Sequence, residues 1–97
     1  MEVFYPVFVL MLTLCEAPAG KTVCEEGTMT FQFSRALDCW EARATFIRYY
    51  DSRDDVIVKR AKTTCEVRVY EARGSDRDAI KRNAEEDLKS SNIVPEP

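Results

Sequence analysis

Cysteine carries most of the chemistry this chain can offer, and four are present: Cys15, Cys24, Cys39 and Cys65. Histidine is absent, which removes the usual general base near neutral pH and any Ser-His or Cys-His dyad within the chain. The cysteines form no C-x-x-C pair and have no histidine to join them, so a zinc site is a poor reading of them. Glu25-Glu26 and Asp54-Asp55 are adjacent carboxylates, but neighbours on a strand face opposite ways, and no further oxygen donors follow at the spacing of a calcium loop. Gly20, Gly27 and Gly74 stand apart from one another and make no phosphate-binding loop. These residues point to disulfide chemistry and to a protein that is not an enzyme, with no metal or cofactor.

The compartment follows from the N-terminus. Val3 to Leu14 is an apolar run broken only by Pro6 and Thr13, and Ala17-Pro18-Ala19 has the small-x-small pattern of a cleavage site before Gly20. Residues 1–19 therefore read as a secretory signal peptide, and residues 20–97 as a small secreted domain with a frayed tail at 90–97. The run is too short for a membrane-crossing helix, which needs roughly 20 apolar residues. No Lys or Arg precedes it, and the alternative is a folded N-terminal strand or helix. Losing Glu2 and Glu16 with the leader takes the 17 acids to 15 against 14 bases. A near-neutral balance argues against a nucleic-acid binder or a membrane-disrupting cation.

With Cys15 gone, Cys24, Cys39 and Cys65 remain. Topology places Cys39 and Cys65 together on inward faces, and a bridge between them closes a loop worth about 3 kcal/mol in the chain-entropy picture. Cys24 is then a free thiol or the link of a disulfide-bonded homodimer; a bond from Cys24 to Cys39 or Cys65 is the alternative.

The elements that must position these groups are legible from periodicity. Met29, Phe31 and Phe33 alternate with Thr30 and Gln32 in a strand. Residues 34–50 wind into an amphipathic helix with Ala36, Leu37, Cys39, Trp40, Ala44, Phe46, Ile47 and Tyr50 on its inner half and Ser34 at its N-cap. Trp40 is expected against Phe31 and Phe33, and Arg43, which falls inside the apolar half, is expected to run its stem along the helix edge. Val56–Val58 favours strand, although Ser52 and Asp55 resemble a capping box and leave a short helix open. Cys65, Val67 and Val69 alternate with Glu66, Arg68 and Tyr70, making a strand that pairs with the preceding one as a hairpin. Ser75 and Asp78 mark the start of a last helix with Ile80, Ala84 and Leu88 as its stripe and the pairs Lys81–Glu85 and Arg82–Glu86 on its surface. The expected fold is a small α+β domain, strand-helix-strand-strand-helix, with helix 34–50 packed on a short sheet.

For binding, Arg48 with Tyr49 and Arg68 with Tyr70 have the composition of interface hot spots. Arg53, Lys59, Arg60 and Lys62 form the most basic stretch, suited to an acidic partner or a sulfated glycan. Lys59-Arg60 and Lys81-Arg82 are dibasic pairs, as in hormone precursors. A strand, a long helix and antiparallel strands behind a leader resembles the cystatin arrangement, and the resemblance implies inhibition of papain-like proteases; the Gln-x-Val-x-Gly hairpin of that family is absent. The leading expectation is a secreted, toxin-like or gland-type effector that binds an extracellular protein, without membrane insertion.

Overall fold

The computed structural model describes residues 4–16, 24–71 and 76–96. Four strands and two helices follow in the order strand-strand-helix-strand-strand-helix: β1 Phe4–Glu16, β2 Glu25–Phe33, α1 Ala36–Asp51, β3 Val56–Val58, β4 Thr64–Glu71 and α2 Arg77–Ser90. The α+β class and the helix packed on an antiparallel sheet are as expected. The additional strand is β1, and it changes the connectivity.

Phe4–Glu16 lies at the centre of the sheet. One edge pairs with β2 from Phe8↔Phe33 to Glu16↔Glu25. The other pairs with β4 from Phe4↔Glu71 to Met11↔Thr64, and then with β3 from Leu14↔Val58 to Glu16↔Val56. Val9, Leu10, Leu12 and Cys15 are wholly buried, and they point to both faces of the strand. A strand buried on both faces is apolar without alternation. An apolar leader has the same composition.

The expected hairpin between β3 and β4 does not form. Both strands bond to β1, one beyond the other, because β1 is thirteen residues long and offers one edge to both. A single 3-10 turn at Arg60–Lys62 joins them, where the sequence left strand and helix open. At this break the ladder would lose a partner, and threonine hydroxyls replace it. The Thr13 N–H donates to Thr63 Oγ1 at 3.2 Å, Thr63 Oγ1 donates to the Lys59 carbonyl at 2.9 Å, and the Lys59 N–H donates to the Thr13 carbonyl at 2.9 Å. Thr13 Oγ1 donates to the Lys62 carbonyl and shares a bond with Thr28 Oγ1. Both threonines are buried, and every buried donor here is met.

Helices α1 and α2 cover one face. Phe8, Leu10, Ala36, Cys39, Cys65 and Ala84 form the main cluster, with Phe31, Phe33, Trp40, Val67 and Leu88 packed around it. Leu12, Ile47 and Val58 form a second. Trp40 joins the first cluster only half-buried, and its Nε1–H donates to the Leu88 carbonyl at 2.7 Å, so it ties α1 to α2. Arg43 does more than run along the helix edge. Its Nε donates to the Thr63 carbonyl at 2.8 Å and its Nη1 to the Glu96 carboxylate at 2.7 Å. The tail thus turns back onto α1 instead of fraying freely. Arg35, not Ser34, is the N-cap of α1, and no side chain caps the helix. Ser75 lies outside the described residues, and neither Lys81–Glu85 nor Arg82–Glu86 closes to an ion pair.

Cys39 bonds Cys65, joining α1 to β4, and Cys15 near the end of β1 bonds Cys24, the residue before β2. In the full-length chain Cys24 is thus paired with Cys15, whereas the expected free or intermolecular thiol belongs to a chain cut after Ala19. The expectation of a lone thiol rested on the loss of Cys15 with the leader, and in this fold Cys15 sits wholly buried in the central strand. Peptide mapping without reductant is expected to give a chain with no free thiol and the linkages Cys15–Cys24 and Cys39–Cys65. The double variant Cys39→Ala, Cys65→Ala, which opens a separation of 26 residues, is expected to lose about 3.5 kcal/mol in urea unfolding.

A chain starting at Gly20 lacks the strand to which all the others bond. It is expected to show no sheet by circular dichroism and no slowly exchanging amides in residues 28–33 or 64–70. Protection in those segments would mean that the sheet forms without β1. Trp40→Phe, which keeps most of the ring contact and removes the bond to Leu88, is expected to cost about 1 kcal/mol.

Candidate functional site

Placing the expected contact residues on the fold divides them into two groups. The basic stretch after α1 is met by its own carboxylates except at Lys59, whose ammonium has no ion-pair partner among the described residues. Arg53 makes two bonds to Asp55, Arg60 pairs with Asp51 across the end of α1, and Lys62 Nζ reaches Glu26 on β2 at 2.7 Å. The Arg53 guanidinium, through its hydrogen bonds, holds the Asp55 carboxyl below its ordinary value. A depressed carboxyl favours the folded pair above its unfolded value and loses that contribution as pH falls through the folded one. Both side chains are exposed, so the effect on stability is small. Arg48 and Tyr49 are exposed on α1, where Tyr49 packs edge-on against Tyr50 with centroids 4.9 Å apart. They lie apart from Tyr70, so the two Arg-Tyr pairs do not form one surface.

The second group is on β4. By the alternation of the strands, Tyr5, Val7, Val9 and Met11 of β1 share the helix-free face with Glu66, Arg68 and Tyr70 of β4 and with Thr28, Thr30 and Gln32 of β2. Tyr5 and Tyr70 are register partners and stack with centroids 5.8 Å apart. Gln32 Nε2 donates to the Tyr70 hydroxyl at 3.1 Å, crossing β1 to do so. This bond fixes the orientation of Tyr70 from two strands away. Beside it, Val67, Arg68, Val69 and Tyr70 line a concavity of about 290 Å³ whose far wall is Arg77 and Lys81 of α2.

Arg68, Arg77 and Lys81 are exposed, and among the described residues none has an ion-pair partner. Two of these cations stand in the first turns of α2, where the helix dipole already favours negative charge. Three unpaired cations and an oriented tyrosine around one hollow attract an anionic group. The sequence singled out Arg68 and Tyr70, but Arg77, Lys81, Tyr5 and Gln32 had no local signal, since they meet only through sheet register and helix docking.

Among the described residues no group of His, Cys, Asp and Glu side chains is arranged to hold a metal, and no helix is long and apolar enough to cross a membrane. The dibasic pairs sit in ordered structure, Lys81-Arg82 inside α2 and Arg60 in the 3-10 turn. No protein family, curated protein or solved structure matches the chain.

The Asp55 carboxyl is expected to titrate below the ordinary aspartate range by NMR and to return to it in Arg53→Ala. An unshifted Asp55 in the native protein would mean that the pair is not formed in solution.

Proposed function

We propose that this chain is a secreted, non-enzymatic binding protein that engages an acidic patch on an extracellular protein, as toxin-like and gland-secreted effectors do. The observation that carries the reading is the contrast between the two basic regions. Arg53, Arg60 and Lys62 are each matched within the chain, whereas Arg68, Arg77 and Lys81 surround a hollow beside Tyr70 and have no carboxylate partner among the described residues. Tyr and Arg are enriched where interfaces concentrate their binding energy. Two bonded cysteine pairs in a chain of this size favour an oxidising compartment. Tyr5 belongs to the surface, so the reading includes retention of β1 in the working protein.

The test uses an acidic peptide, a neutral peptide of equal length and a sulfated oligosaccharide against the full-length chain, at several salt concentrations. Binding is expected for the acidic peptide, weakening with salt, and Arg68→Ala or Lys81→Ala should weaken it about tenfold. Arg53→Ala should leave it unchanged. Binding of the oligosaccharide alone would move the ligand from protein to glycan. Stoichiometric inhibition of a papain-like protease, unaffected by Arg68→Ala, would replace this reading with that of an inhibitor.

A further inference from the structure

The sheet has two outer edges, and they are treated differently. The β4 edge carries Glu66 and Arg68, and the 3-10 turn interrupts it before β3. Charges and a break of this kind protect an edge from pairing with another chain. The β2 edge has no such protection. β2 runs nine residues in unbroken register with β1, and Gly27–Phe33 contains no charge and no proline. Its first six residues are all exposed, including Met29 at 42%.

We infer that β2 pairs with β2 of a second copy, antiparallel, about a two-fold axis through Thr30 and perpendicular to the sheet. The sequence is self-complementary in this register and in no neighbouring one. Thr30 meets Thr30, Met29 meets Phe31 on the helix side, Thr28 meets Gln32 on the other side, and Gly27 meets Phe33. At each end Glu25 meets Arg35 of the second copy. Moving the axis to Met29 would set Glu25 against Phe33 and Glu26 against Gln32, and moving it to Phe31 would set Glu25 and Glu26 against Leu37 and Ala36 inside α1, whereas the Thr30 register stops at Arg35, where the backbone is still extended. An axis between residues would put the helix face of one copy against the open face of the other, which a two-fold perpendicular to the sheet does not allow.

Two further observations favour the Thr30 register. Glu25 and Arg35 are both exposed, and neither has a partner among the described residues. Glu25 is also the register partner of Glu16 on β1, and like charges placed opposite in a sheet are unfavourable. Arg35, whose backbone stays extended at φ −125° and ψ 138°, would complete the row Glu16, Glu25, Arg35 and relieve that repulsion. The dimer leaves the Arg68 and Tyr70 surface free on each copy, at the opposite edge of the sheet.

Sedimentation equilibrium of the full-length chain tests this. A reversible monomer–dimer equilibrium is expected, and Glu25→Arg or Arg35→Glu alone should weaken the dimer about tenfold, because each reversal acts at both ends of the interface. The double reversal should restore it, which also shows that the variants fold. Thr30→Lys, which sets two like charges together on the axis, should be monomeric with an unchanged circular dichroism spectrum. A chain that stays monomeric at all concentrations would overturn the inference. So would a dimer insensitive to Thr30→Lys, or one that the double reversal fails to restore.

Discussion

The backbone of Phe4–Glu16 is bonded along both edges, and the rest of the structure depends on that one strand. β2 has no other partner among the described strands, and β3 and β4 bond to β1 instead of to each other. Its side chains serve both faces as well. Burying a single Val or Leu contributes about 1.5–3 kcal/mol, so Val9, Leu10 and Leu12 together approach the whole net stability of a domain, about 5–15 kcal/mol. A domain of this size has little margin beyond such a strand. The disulfides act at its two flanks, Cys15–Cys24 on the strand itself and Cys39–Cys65 between the helix above it and β4.

One long strand serving two short ones needs a junction, and the junction is polar. Thr13, Thr63 and the Lys59 backbone exchange the bonds that a continuous ladder would have made. Arg43 takes the Thr63 carbonyl from the helix side and carries a charge to Glu96. Its side chain is only 12% exposed, a burial that a guanidinium tolerates when its donors are met. The junction in turn sets the register of β4, and that register places Tyr70 opposite Tyr5 and within reach of Gln32.

Charge on this molecule is informative by its pairing more than by its amount. The stretch richest in Lys and Arg is largely neutralised by Asp51, Asp55 and Glu26, whereas three cations drawn from two elements line a hollow with no counter-charge among the described residues. The two sheet edges repeat this contrast, one carrying charges and the other an uncharged run ending in an unmatched acid and base.

What the sequence determined alone was local. Periodicity revealed α1, the Met29, Phe31 and Phe33 face of β2, and the Cys65, Val67 and Val69 face of β4, because burial of one side of an element leaves a repeat that a linear reading detects. Absence of histidine excluded a Ser-His or Cys-His dyad within the chain. The tertiary structure decided everything that depends on which elements meet. A strand buried on both faces and an apolar leader have the same composition, and the pairing of Cys24 with Cys15 is visible only where residues 4–16 are folded as β1. Hairpin pairing of β3 with β4 was the local expectation, and it lost to a longer edge contributed by residues some fifty positions away. Gln32 on one flank of β1 and Tyr70 on the other are 38 positions apart, and Arg68 meets the α2 cations from a different element. Register across β1 and the docking of α2 on β4 bring them together, because hydrogen-bond geometry in a sheet is a property of neighbouring strands and leaves no mark within any one of them.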